Sequence, residues 1–161
     1  MDMSGDILVR LALSGDVDGI LSIGRQVHEV VVANRDAAFG PPPEFAGQAS
    51  FYADAIEDDR CLLLVAVVSG VLAGYVHASV ETEPDDLTTV PRVSINEIAI
   101  DRQFQGLGAG EVLIERVHAW ARERGHRIVQ LAVWAFNHRA IGFYQKLGYR
   151  FLMHKMEIVL E

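Results

Sequence analysis

Between Asp101 and Glu111 the chain reads DRQFQGLGAGE, with glycines at 106, 108 and 110, and then continues as VLIERVHAWARERG with helical periodicity. A strand, a glycine turn and a helix in that order can hold an anion. The first amides of a helix lack intrahelical partners, the helix dipole favours negative charge there, and residues without a Cβ let a phosphate oxygen reach the backbone. Two known uses of this arrangement fit poorly. A Walker loop needs Gly-Lys-Ser/Thr, and here Glu111 follows Gly110. A dinucleotide fingerprint needs G-x-G-x-x-G and a carboxylate closing the next strand, whereas the spacing is G-x-G-x-G and that strand ends in Val133-Trp134. On spacing alone, a tight turn without a ligand stays open as the other reading.

Other reactive side chains offer less. Cys61 is the single cysteine, which rules out an internal disulfide and a multi-cysteine metal site. Opening an apolar run, it reads as a small buried hydrophobe rather than a nucleophile. The six histidines, at 28, 77, 118, 126, 138 and 154, show no HExxH or comparable zinc spacing, so no metal site is expected.

A glycine turn needs a sheet behind it, and the periodicities supply one. Ile7, Val9, Leu11 and Leu13 alternate onto one face of a first strand, and SGD then opens a helix carrying Ile20, Ile23, Val27, Val30 and Val31 that fades near Asn34. FGPPPE breaks the chain, and Phe45, Ala49, Tyr52 and Ile56 predict a second helix. Leu62 to Val68 and Val71 to Val80 flank Ser69-Gly70, a hairpin signal. Glu81 to Pro91 is a polar loop, and Arg92 to Ile100 is a fourth strand. The helix from Gly110 to Arg124 presents Leu113, Ile114, Val117 and Ala121, and Gly125 stops it. Ile128 to Trp134 is a fifth strand, Asn137 to Leu147 a fourth helix closed by Gly148, and Phe151 to Leu160 a last strand. The order β-α-α-β-β-β-α-β-α-β predicts the α/β class, one mixed and mostly antiparallel sheet flanked by helices, in a single domain over 1–161.

Composition bounds the function. Of 161 residues, 50% are hydrophobic and 22% charged, a globular balance that is not that of a disordered chain. The longest apolar run, Leu62 to Val68, falls far short of the roughly 20 residues of a membrane span, and MDMSGD lacks the basic start of a signal peptide. A cytoplasmic protein is expected. The net charge of −8 opposes nucleic-acid binding and suits neutral or cationic partners. It does not oppose a local anion site made of backbone amides.

Gln105, Gly108 and Gly110 resemble Q/R-x-x-G-x-G/A, the acyl-CoA pyrophosphate loop of the GNAT superfamily of N-acetyltransferases. Asn137, Ala140 and Tyr144, followed by QKLGYR, resemble that superfamily's second signature, N-x-x-A-x-x-x-Y-x-x-x-G-F/Y. The resemblance covers essentially the whole chain. It implies that amides of Gln105, Gly106, Leu107, Gly108, Ala109, Gly110 and Glu111 hold the pyrophosphate of acetyl-CoA, the acyl donor. It also implies that the fourth and fifth strands splay, with backbone of Ile98 and Ile100 along the pantetheine arm. Asn137 is expected to hydrogen-bond that arm, or else to cap its helix.

Tyr144 matches the superfamily's general-acid position, the other reading being a packed aromatic. A phenol of ordinary pKa about 10 stays protonated at neutral pH and can meet a departing thiolate. At the other end an amine of pKa about 10.4 needs a base. Glu97 is the candidate base, although relatives often carry the carboxylate one position earlier, where Asn96 stands here. Strand alternation puts Glu97 on the Val93 and Ile95 face, where an ion pair or contact with the substrate ammonium is the competing role. The resemblance further implies direct transfer to a primary amine and a homodimer. Glu81, Glu83, Asp85 and Asp86 in the polar loop lean the acceptor toward a small cation, although such loops are commonly just solvated. A non-catalytic acyl-CoA-binding or sensory module on the same scaffold is the alternative, and a nucleotide-dependent oxidoreductase would bind NAD instead.

Overall fold

Strands β1 (Ile7–Leu11), β2 (Cys61–Val68), β3 (Val71–Glu81), β4 (Arg92–Ile100) and β5 (Val129–Leu131) lie side by side in chain order. The computed structural model describes residues 6–34, 48–85 and 89–160. The first three junctions are antiparallel and the β4–β5 junction is parallel. Connection length explains the difference. Ser69 and Gly70 have φ of 51° and 80°, both positive as a two-residue hairpin turn favours, so β2 returns directly as β3. Parallel pairing needs a crossover, and α3 (Ala109–Glu123) supplies it between β4 and β5.

The helices cover the two faces unequally. Leu113, Ile114 and Val117 of α3 are fully buried against Leu62, Leu64, Val76, Ala78, Val93 and Ile95. Each such side chain contributes about 1.5–3 kcal/mol of hydrophobic stabilisation. On the opposite face, α1 (Val17–Asn34) and α2 (Gln48–Glu57) bring Ile20, Ile23 and Tyr52 against Leu63, Val65, Tyr75 and Ala99. The last helix, α4 (His138–Lys146), leans Phe143 and Tyr144 on the α3-side core. FGPPPE and Phe45 lie outside the described residues.

One irregularity in β4 reorganises the site. The β3–β4 register runs His77 opposite Glu97 and then Ala78 opposite Ile95, so Asn96 is an extra residue. A bulge of this kind shifts the alternation by one. Val93 and Ile95 face α3, but beyond Asn96 the α3 side is taken by Ile98 and Ile100. Glu97 and Ala99 turn to the α1–α2 side instead. The expectation that Glu97 shares the Val93 and Ile95 face is therefore corrected, because strict alternation cannot foresee an inserted residue.

Three further departures concern strand ends. Leu11 and Leu13 are exposed, since β1 stops at Leu11 and only Ile7 and Val9 reach the α3-side core. The fifth strand is three residues long rather than spanning Ile128 to Trp134. The expected last strand, Phe151 to Leu160, is not formed: residues 150–160 are exposed and belong to no helix or strand. Strand propensity needs a partner edge to act on, and nothing described in the chain pairs with this segment.

Candidate active site

The glycine turn is fastened at its base and open at its tip. Asp101 accepts hydrogen bonds from the amide of Gln103 at 2.9 Å and from Gln26 Nε2 of α1 at 2.7 Å. Gln26 Oε1 in turn accepts from the amide of Arg102 at 3.1 Å. Phe104 is buried beside Val68 and Ala73. Beyond this anchor, Gly106 and Gly108 have φ of 83° and 91°, a left-handed conformation that costs a side-chain-bearing residue about 1–2 kcal/mol. A Cβ added at either glycine would meet nothing within 4 Å. Gly108 is the N-cap of α3 without any side-chain cap, which leaves the first amides of the helix facing that open space. Gly110 has another reason to lack a Cβ, because one there would lie 3.4 Å from the Phe143 ring.

Next to the turn the sheet opens. β5 pairs with β4 only from Val93 to Ile95, so the β5-side edge of β4 from Asn96 to Ile100 has no strand partner among the described residues. The β3 side stays closed, and Gly74 makes it so: a Cβ there would sit 2.5 Å from Ile100 Cδ1 and 2.7 Å from the Ala99 carbonyl oxygen. Gln105 spans the end of the gap. It donates from Nε2 to the Ile100 carbonyl at 3.3 Å and accepts from Arg139 Nη1 of α4 at 2.6 Å.

On the α1–α2 face, Glu97 lies in a nest of hydroxyls. Tyr52 of α2 donates a short hydrogen bond to Glu97 Oε2, and the Tyr52 and Tyr75 hydroxyls are 3.3 Å apart. Burial pushes the Glu97 carboxyl above the ordinary carboxylate range, and hydrogen bonds from Tyr52 and Tyr75 partly offset that rise. Both phenols are themselves pushed up, chiefly by burial, and remain protonated donors. His77, opposite Glu97, is buried and held below the ordinary imidazole range by desolvation. Its Nε2 has no hydrogen-bond partner, while Nδ1 lies 3.4 Å from Asn96 Nδ2. Asn96 also donates to Ser79 Oγ at 2.8 Å.

Tyr144 belongs to the other side of the sheet. It stacks edge-on with Phe143 and Tyr149, at centroid separations of 5.3 and 5.7 Å, and burial raises its pKa. Tyr149, rather than Tyr144, carries the hydrogen bond to His118 Nε2, at 2.8 Å. Asn137 caps α4, accepting from the Ala140 amide at 3.1 Å. Cys61 is partly buried with a raised pKa, again chiefly from burial, which disfavours a nucleophilic thiolate. The acidic loop is largely engaged internally: Asp85 pairs with Arg92, and Glu81 accepts from Ser79. Asp86 lies outside the described residues.

The family model described as the acetyltransferase (GNAT) family matches residues 27–149. The chain belongs to that family. Its GNAT relatives include an uncharacterized N-acetyltransferase of Methanocaldococcus jannaschii, 46% identical over 55 residues, covering 34% of this chain and 24% of the relative. A candidate ribosomal protein bS18-alanine N-acetyltransferase of Bacillus subtilis is 32% identical over 99 residues, covering 62% of this chain and 60% of the relative. The matched segments thus span about a quarter to three-fifths of these relatives' lengths. Among solved structures, the tetramutant of the BH1408 protein from Bacillus halodurans superposes with a TM-score of 0.85 at 25% identity, covering 95% of this chain and 99% of that one. An aminoglycoside N-acetyltransferase in complex with CoA has a TM-score of 0.78 at 16% identity, covering 97% and 95%, and shares the fold.

Within this GNAT chain, sequence reasoning missed three polar side chains beside Glu97 and one cation at the loop. Tyr52 counts as one more member of an apolar helical stripe, yet its hydroxyl reaches Glu97. Tyr75 and His77 alternate on a buried strand, and only the β3–β4 register reveals that they share a face with Glu97. The signal available was the polar atom each carries in an otherwise aliphatic run. Arg139 sits inside the second signature, but its contact with Gln105 joins residues 34 positions apart.

Proposed function

We propose that this chain is an acetyl-CoA-dependent N-acetyltransferase that moves an acetyl group directly onto a primary amine of a small, cationic acceptor. It works as a cytoplasmic, single-domain enzyme over 1–161 and as a homodimer, with neither nucleic acid nor membrane as partner. The supporting observation is a continuous one: the open edge of β4 past Ile95 leads into a glycine turn whose tip has room for phosphate. The residues present therefore fit acetyl-CoA. Amides of residues 105–111 would hold the pyrophosphate with Arg139 alongside, and backbone of Ile98 and Ile100, with Asn137, would hold the arm. Bound there, acetyl-CoA supplies an acetyl carbon activated as a thioester.

The chain's own residues divide the proton work. Glu97 accepts a proton from the acceptor's ammonium, directly or through water, and its raised pKa makes it a better base than an ordinary carboxylate. Tyr52 and Tyr75 hold the carboxylate in place. Amides along the free β4 edge stabilise negative charge on the carbonyl oxygen. Tyr144, kept protonated by burial, hands a proton to the leaving sulfur. Attack is direct, with no acyl-enzyme, consistent with the raised pKa of Cys61.

Calorimetric titration with acetyl-CoA, using CoA and NAD as controls, followed by thiol release across a panel of amines, tests this reading. Saturable acetyl-CoA binding with amine-dependent release is expected. Binding without release for any amine would replace it with a non-catalytic acyl-CoA-binding module, and NAD binding in place of CoA would overturn both.

A further inference from the structure

His77 is a buried donor that the described residues leave without an acceptor: it is 3% exposed, and its Nε2 meets no hydrogen-bond partner. A chain of hydrogen bonds fixes which nitrogen carries the proton. Ser79 Oγ donates to Glu81 Oε1 at 3.0 Å, which leaves its lone pairs to accept from Asn96 Nδ2 at 2.8 Å. The Asn96 amide is thereby turned with its NH2 group 3.4 Å from His77 Nδ1. Desolvation keeps the imidazole neutral, so Nδ1 accepts and the single ring proton sits on Nε2. A buried donor left unmade costs stability, and each one in a folded protein calls for a reason.

That N–H belongs to the Glu97 side of the sheet. His77 and Glu97 are directly opposite in the β3–β4 ladder, a relation that brings Cβ atoms to about 4.5–5.5 Å on one face. Phe51 of α2 packs edge-on against the imidazole with ring centroids 5.2 Å apart, and it is 49% exposed, so the imidazole is one side chain away from solvent. Glu97 is itself only partly buried. A proton acceptor and a proton donor thus stand side by side beneath a surface aromatic ring.

We propose that His77 selects the acceptor: Nε2–H donates to an oxygen carried a few bonds from the reacting amine, which makes the acceptor an amino alcohol or an α-amino carbonyl compound rather than a simple alkylamine. The amine meets Glu97 and the oxygen meets His77, and residues facing each other across one step of a ladder are close enough to hold both groups of one small molecule. The oxygen is uncharged, because a carboxylate would be set against Glu97. Phe51 turns aside to admit the acceptor and packs on its carbon skeleton. Selection follows from the cost of the wrong partner: an amine lacking the oxygen leaves the buried donor unmade, and sites built around such a donor discriminate strongly. His77 has this role only if the chain transfers acyl groups to amines as proposed above, and the two readings are separated by experiment.

Thiol release from acetyl-CoA is compared, on the full chain, for amines paired by equal numbers of non-hydrogen atoms: ethanolamine against propylamine, and glycinamide against isobutylamine. In the parent, kcat/KM is expected to favour the oxygen-bearing member of at least one pair about ten-fold or more, the scale of one buried hydrogen bond, and the pair that responds tells hydroxyl from carbonyl. His77→Phe fills the site without a donor and should bring that ratio to about one, while Tm holds or rises because no buried N–H is left unpaired. His77→Gln keeps an N–H donor and should recover part of the preference. His77→Leu repeats the measurement should the phenyl ring not be accommodated. No preference in either pair, with release intact, overturns the role of His77 and leaves the transfer reading standing. A preference that survives in His77→Phe or His77→Leu overturns it as well, and so does an equal loss for both members of a pair with a fall in Tm, which would make the imidazole part of the fold. No release with any amine overturns both readings.

Discussion

Glu97 is subject to two opposed influences: burial raises its proton affinity, and the hydroxyls of Tyr52 and Tyr75 lower it. Removing the nearer donor should therefore leave burial less opposed. In Tyr52→Phe the acid limb of the pH–rate profile is expected to move to higher pH, with kcat at pH 6 falling more than kcat at pH 9; an unmoved limb would detach Tyr52 from the base. The same shift has a stability consequence of opposite sign to the usual carboxylate. Because the folded pKa lies above the unfolded one, the folded state binds more protons in that interval, and stability is lost as pH rises through the folded pKa. Glu97→Gln should accordingly keep or raise Tm at pH 8 while turnover drops about 10²-fold or more, the scale of a lost general base. A clear fall in Tm would identify the carboxylate as structural instead. On the α3 side, Tyr144→Phe is expected to lower kcat at unchanged acetyl-CoA affinity, whereas unaltered kcat would leave it a packing aromatic. Cys61→Ala should retain most activity, and a folded but dead variant would refute direct transfer.

At the scale of elements, the turn after β4 and the bulge within it decide what the strand can present. Gly108 has φ of 91° at the mouth of α3, so Gly108→Val would strain the backbone by about 1–2 kcal/mol and fill the open space at the tip. We expect acetyl-CoA affinity, read by calorimetry, to weaken at least ten-fold in a variant that still folds; unchanged affinity would mean that the turn is only a turn. Helices, the hairpin at Ser69-Gly70 and the crossover through α3 were legible because their signals are local: a repeat of 3.6 or 2 and a pair of turn residues. The bulge at Asn96 was not. It exists only as a mismatch between two strands, and no property of RVSINEIAI taken alone marks which residue will lack a partner. The last strand differs for the same reason in reverse, since Phe151 to Leu160 has the composition of a strand but pairs with no edge among the described residues.

For the whole molecule, the proposed function requires a chain of net charge −8 to take an anionic donor, through oriented amides with Arg139 held beside them on Gln105. Long-range repulsion should slow encounter without preventing binding, because salt screens charges separated by more than about 8–10 Å and leaves close contacts nearly intact. The association rate for acetyl-CoA is therefore expected to rise between 10 and 150 mM salt, measured by stopped-flow; a steep fall would indicate a basic steering surface instead. Among the described residues no helix is long and apolar enough to cross a membrane. By itself the sequence determined the family, the mixed sheet with its helices and the glycine turn, because periodicity, turn chemistry and motif spacing are written in neighbouring residues. Only the tertiary structure decided that Glu97 faces Tyr52 and Tyr75, that the pairing of β4 with β5 ends at Ile95, and that the C-terminal segment stands unpaired among the described residues. Each of these depends on strand register and on which edges find partners, and those are relations between segments distant in the chain.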